Sequence, residues 1–223
     1  MIKLIIFDWD DVFTLGSKEG YFRCYHEALR ELGVALDPVE ERKRILEKWS
    51  IPPPDVVAYL LKERPGLVES GKEAVNRHLF GETFTSALNY VNGANEFLLR
   101  LRRNYILSIA TGLHPGVLRE HVMPRFGVPQ VFSDIISTYD VEPGKRKPHP
   151  YIAQEILRRH KVGPEEAILV GDARGDVQMA YAASVTPVVV LTGHLTRKEA
   201  ESLGVKHIIE DVTHLENVLH ELE

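Results

Sequence analysis

The stretch Ile2-Lys3-Leu4-Ile5-Ile6-Phe7-Asp8-Trp9-Asp10 decides how this chain is read. Residues 2–7 are an apolar run, and the run stops at two carboxylates spaced two positions apart. Short runs of this kind are strands buried on both faces of a parallel sheet, and open α/β sheets bind their ligands just beyond the carboxyl ends of such strands. Alternation along an extended backbone sends Asp8 and Asp10 to one side and Trp9 to the other. Anions this close repel each other and need a cation to remain ionised together.

Outward from that strand, residues 18–88 carry helix-period stretches at 19–32, 38–49, 55–63 and 72–80, divided by Pro and Gly, with no strand between them. From Gly93 the pattern alternates. Helices are expected at 94–102, 117–125, 151–160, 177–183 and 197–203, and strands at 105–110, 135–138, 167–170 and 188–191, with short elements to the end. Such alternation predicts an α/β fold, a doubly wound parallel sheet with helices on both faces. The expected organisation is a core domain of residues 1–17 and 89–223, with a small all-helical domain of residues 18–88 inserted after strand one.

Composition narrows the classes of function. The 223 residues carry a net charge of -5 with both signs interspersed, and no basic block or stripe of the kind that nucleic-acid binding needs. The opening apolar run is too short for a signal peptide or a membrane span, and the single cysteine, Cys24, has no partner for an internal disulfide. A soluble, cytoplasmic protein without membrane or nucleic-acid partners is expected, and no heptad or apolar stripe speaks to its oligomeric state.

Three further polar clusters follow expected strands. Thr111-Gly112 offers a hydroxyl and a flexible backbone whose N–H groups suit an anion. Lys145-Arg146-Lys147 precedes Pro148-His149-Pro150 at the start of a helix, and Gly171-Asp172 is followed by Asp176. Each cluster alone has an ordinary reading: Asp at turns and helix caps, Thr-Gly as a turn, a basic run as a solvated face. At the carboxyl ends of strands in one sheet, they supply a carboxylate nucleophile, a hydroxyl, an ammonium and further carboxylates.

On these residues the chain resembles the haloacid dehalogenase superfamily of hydrolases, in its phosphatase branch with a helical cap after the first strand, similar to phosphoglycolate phosphatases. Four motifs match in order: Asp8-Trp9-Asp10-Asp11-Val12, Thr111, Lys147 in a Lys-Pro-x-Pro setting, and Gly171-Asp172-Ala173-Arg174-Gly175-Asp176. The resemblance implies a Rossmann-like core and hydrolysis of a small phosphomonoester through an aspartyl phosphate on Asp8. Asp10 would be the general acid and base. Mg²⁺ would be held by Asp8, Asp172 and the main-chain carbonyl of Asp10. Thr111, Gly112 and Lys147 would bind the phosphoryl oxygens, and Asp176 would hold Lys147 or a metal-bound water. The expected partner is a small soluble ester such as phosphoglycolate, a sugar phosphate or a nucleoside monophosphate.

The chain departs from the family pattern in having Asp11 and Ser184 where Gly is usual. Asp tolerates a positive φ better than most residues. A third carboxylate at position 11 keeps a non-catalytic metal- or phosphate-binding module in view. A phosphomutase retains both Asp8 and Asp10, whereas Asp10 and Asp172 argue against a dehalogenase. Cys24 is read as packing, Trp49 as packing under the cap, and His149 as a variable position. Arg23, Tyr25, His26 and Lys48 are candidate substrate contacts whose facing the sequence leaves open, as are His114 and Arg174.

Overall fold

The computed structural model describes residues 1–49 and 51–222. Its centre is strand β1, Leu4–Phe7, fully buried and hydrogen-bonded on both sides. Short antiparallel strands β2 (Thr14–Leu15) and β3 (Asn89–Tyr90) pair with each other and bracket five helices, α1 (Ser17–Glu31), α2 (Pro38–Glu47), α3 (Pro53–Leu60), α4 (Val68–Leu79) and α5 (Glu82–Thr85). The chain then runs through α6 (Ala94–Leu101), β4 (Ile106–Thr111), a π-helical stretch Val117–Val122 leading into α7 (Met123–Arg125), β5 (Phe132–Ser137), α8 (Tyr151–His160), β6 (Ala167–Gly171), α9 (Arg174–Ala182), β7 (Thr186–Val190), α10 (Arg197–Ser202), β8 (His207–Ile209) and α11 (Leu215–Leu222).

The six main strands form one parallel sheet in the order β5-β4-β1-β6-β7-β8. Period-2 alternation divides its core in two. Leu4 and Ile6 pack with Ile152 and Ile156 of α8 and with Met179 of α9 on one face. Ile5 and Phe7 pack with Phe97 of α6 and Leu219 of α11 on the other, in a cluster that continues into Leu29, Val57, Leu61 and Val75 of the helical segment. The expected α/β fold with helices on both faces is therefore the fold observed.

Register sets the position of the polar ends. Phe7 lies level with Ile109 and with Val170, so Asp8, Thr111 and Asp172 emerge at the same edge of the sheet. Asp8 N–H donates to the Val170 carbonyl at 2.8 Å and extends the ladder by one residue beyond β1.

Several elements differ from expectation for identifiable reasons. β5 starts at Phe132 and not at 135, because an edge strand tolerates the polar Ser133 and Asp134 that an apolar run does not. β7 starts at Thr186 and takes in Pro187 near its beginning, where a strand tolerates the missing N–H. α4 starts at Val68 and runs through Gly71, which serves here for close packing: a Cβ would lie 2.5 Å from Leu61 Cδ1 and 2.7 Å from Val57 Cγ1. α3 starts at Pro53, since Pro is favoured in a first helical turn.

Candidate active site

A cavity of about 320 Å³ opens at the carboxyl end of β1. The sheet side contributes Asp8, Asp10, Asp11, Gly112, Lys147, Asp172 and Asp176; the helical segment contributes Ser17, Tyr21, Tyr25, Trp49 and Val56. Trp9 points away, as the alternation requires, and is fully buried against Phe13 and Tyr90.

Asp8 and Asp10 have different partners. Lys147 Nζ lies 3.0 Å from Asp8 Oδ1 and 2.7 Å from Asp176 Oδ1, bridging two of the expected residues. Burial pushes the Asp8 carboxyl up and the Lys147 ammonium works against it, for a result of about 6. Burial alone would lower Lys147, but Asp176 and Asp8 outweigh it and hold the ammonium above its ordinary range. Asp10 instead accepts from Ser17 Oγ at 3.0 Å and from Tyr21 Oη at 3.1 Å. Burial, then the nearby Asp8 and Asp11, push its carboxyl up to about 7.

Of the basic run, Lys147 lines the cavity. Arg146 Nε donates to the Thr138 carbonyl at 3.1 Å and its guanidinium lies 3.8 Å from Asp55, while Lys145 sits over the Tyr151 ring. Gly112 also lines the cavity. Thr111 is fully buried beside it, its Oγ1 accepting from Leu113 N–H at 3.1 Å, which leaves the hydroxyl proton free for another acceptor. Asp176 Oδ2 accepts from Ala173 N–H at the start of α9, so this residue both caps a helix and anchors Lys147.

The profile of the haloacid dehalogenase-like hydrolases matches residues 2–184, and that span takes in all four motifs gathered at the cavity. The chain belongs to this family. It is 31% identical over 183 residues to the glyceraldehyde 3-phosphate phosphatase of Pyrococcus abyssi, covering 77% of this chain and 74% of that one. It is 27% identical over 188 residues to the phosphoglycolate phosphatase of Vibrio cholerae, covering 82% and 81%. Among solved structures, a predicted phosphoglycolate phosphatase from Haemophilus somnus superposes with a TM-score of 0.80 at 19% identity, covering 98% of both chains. A hydrolase from Pseudomonas syringae does so with a TM-score of 0.71 at 23% identity, covering 99% of both.

The donor set of this family member suits a hard divalent cation. Carboxylate oxygens of Asp8, Asp172 and Asp176 lie within 4.8 Å of one another, and Asp172 and Asp176 are each 2% exposed. Burial, then Asp176 and Asp8, raise the Asp172 carboxyl well above its usual range, which is the cost of gathering three carboxylates around the single ammonium of Lys147. An all-oxygen site of this kind matches Mg²⁺. The Asp10 carboxylate, turned to Ser17 and Tyr21, is not part of that cluster.

His194, Ser17 and Tyr21 joined the site without any signal in the sequence. His194 follows β7, its backbone N–H donates to Asp172 Oδ2 at 2.9 Å, and its ring forms a second group with Asp11 and Asp172. Gly193 permits this approach, since a Cβ there would clash with Asp172. Ser17, Tyr21 and Tyr25 repeat every fourth residue along α1, so one helix face meets the cavity. Of the open candidates, Tyr25, Lys48 and Arg174 line the cavity, whereas Arg23 and His26 lie in a separate surface groove with Glu41. His149 caps α8 through Nδ1, and His114 packs between Phe80 and Tyr139. Cys24 is fully buried, and burial pushes its thiol up to about 12.

Proposed function

We propose that the chain is a Mg²⁺-dependent phosphomonoesterase acting on a small soluble ester through an aspartyl phosphate. The observation that carries this reading is the division of labour between two carboxylates in one cavity: Asp8 paired with Lys147, and Asp10 held by two hydroxyls with its proton affinity moved to about 7. A nucleophile must stay ionised, and an acid-base catalyst works best when it titrates near the operating pH. The phosphatase names of the curated relatives support the same reading.

In this mechanism Asp8 attacks phosphorus and Asp10 gives its proton to the departing alkoxide. Asp10 then takes a proton from the water that hydrolyses the acyl phosphate, returning both carboxylates to their starting states. Lys147, the Gly112 backbone and the Thr111 hydroxyl bind phosphoryl oxygens, and Asp176 keeps Lys147 in place. Asp8, Asp172 and the Asp10 main-chain carbonyl would hold Mg²⁺, with Asp176 adjacent. When bound, the ion supplies positive charge to the transferring phosphoryl group. Residues 18–88 act as the cap over a core of residues 1–17 and 89–223. Ser17, at the junction, and Tyr21, in the cap, both donate to Asp10, so cap closure completes its environment and excludes water.

The test is phosphate release from a panel of phosphomonoesters, with Mg²⁺ or with chelator. Release that requires Mg²⁺ and falls at least about 10³-fold in Asp8→Asn is expected. Folded protein that binds Mg²⁺ and releases nothing from any ester would leave a non-catalytic metal-binding module.

A further inference from the structure

Three hydroxyls on one face of α1 reach the cavity, and two of them are committed. Ser17 Oγ and Tyr21 Oη both donate to Asp10. The third, Tyr25, is 3% exposed, no hydrogen bond among the described residues ends on its hydroxyl, and that oxygen, unlike Ser108 Oγ, is not sealed from the cavity. The hydroxyl of so buried a tyrosine usually finds a partner, and one that opens onto a cavity without a protein partner is available to a bound molecule. The helical segment's other contributions to the lining are mostly apolar: Trp49, Ile51, Pro52, Pro53 and Val56, with Lys48. Burial, and then the nearby Tyr139, push its ionisation well above the ordinary tyrosine range, so at neutral pH it is a neutral O–H group.

We propose that Tyr25 is a specificity-determining residue whose hydroxyl hydrogen-bonds an oxygen on the leaving group. The substrate class is then a phosphomonoester on a short carbon skeleton bearing a carbonyl or hydroxyl. The skeleton lies against Trp49 and Val56 while Tyr25 takes the oxygen. This inference rests on the phosphatase reading above and adds to it the feature by which the cavity chooses among esters. A site built around a buried polar group rejects an analogue that lacks the matching atom far more strongly than an apolar pocket distinguishes one methylene.

The experiment measures kcat/KM of wild type and Tyr25→Phe with Mg²⁺ for propyl phosphate and for its 2-hydroxypropyl, 3-hydroxypropyl and 2-oxopropyl counterparts. Comparing preference ratios cancels the different intrinsic reactivities of the esters. Wild type is expected to favour at least one oxygenated ester over propyl phosphate, and Tyr25→Phe to reduce that preference at least tenfold. A merely structural role for the hydroxyl would lower all four esters together and leave the ratios in place. Hydrolysis with the same ratios in both proteins overturns this inference alone. Absence of hydrolysis by wild type on the broad panel overturns the phosphatase reading and this inference with it.

Discussion

Asp11 stands at a φ of +54°, a left-handed conformation that explains why glycine is usual there and why Asp is tolerated. Its carboxylate Oδ1 accepts the N–H groups of Gly16 at 3.0 Å and Ser17 at 3.3 Å. The N-cap of helix α1 is Gly16, which has no side chain to cap it, so Asp11 does this work from five residues upstream. Asp11→Gly should therefore lower Tm by about 2–8 °C, from the roughly 1–2 kcal/mol that a lost cap costs, while Asp11→Asn stays close to wild type in thermal unfolding. Ser184, the other departure from the family pattern, also stands in the left-handed region, at 60°. Cys24 gives a second residue-level prediction. Its folded-state value of about 12 exceeds the ordinary 9.0, so folding disfavours the thiolate, and stability falls as pH rises from about 9 towards 12. Thiol alkylation at pH 8 should be slow until denaturant unfolds the chain; rapid labelling of native protein would contradict its burial. Asp8, Asp10 and Asp172 could be read from the sequence because each follows an apolar strand. His194 could not, because only the folded approach of Gly193 to Asp172 brings it in.

At the scale of elements, β2 and β3 tie the two ends of the helical segment together with a pair only two residues long, too short to leave a periodic signal. Gly16, at a φ of +90°, sits where the segment begins, and a Cβ there would stand 2.6 Å from the Ala87 carbonyl oxygen. The buried central strands were legible because both faces are apolar. Of the edge strands, β5 was legible only in its apolar second half, and β8, three residues long, was not legible as a strand. Helix positions were legible from their period, but the face each helix turns to the site depends on tertiary packing, which hid Ser17 and Tyr21 and left the facing of Tyr25 open. The packing of α3 on α4 across Gly71 gives a prediction at this scale. Gly71→Leu forces the two helices apart and should cost about 1–3 kcal/mol in denaturant unfolding. It should also raise KM, since α3 carries Pro53 and Val56 of the cavity wall. An unchanged midpoint and KM would show that the close approach of α3 and α4 does not matter.

For the whole molecule, the sheet brings anions from β1 and β6 to one edge, and the apolar interior leaves them little water. No helix among the described residues is long and apolar enough to cross a membrane. Because a cation that binds the folded cluster and not the unfolded chain stabilises by mass action, Mg²⁺ at 100 times its Kd should add about 2.7 kcal/mol. That corresponds to a rise in Tm of roughly 5–10 °C, which chelator reverses and Asp172→Asn abolishes. Chemical trapping at Asp8 would show whether the phosphoryl group passes through that carboxylate. An ester that the protein hydrolyses is supplied with Mg²⁺, the steady state is quenched with borohydride, and the peptide containing residue 8 is sequenced by mass spectrometry. Reduction of an aspartyl phosphate yields homoserine at that position, and this is the expected result. Unaltered aspartate at position 8 in protein shown to be turning over, with the reduction product found at Asp10 or another carboxylate, would contradict the account.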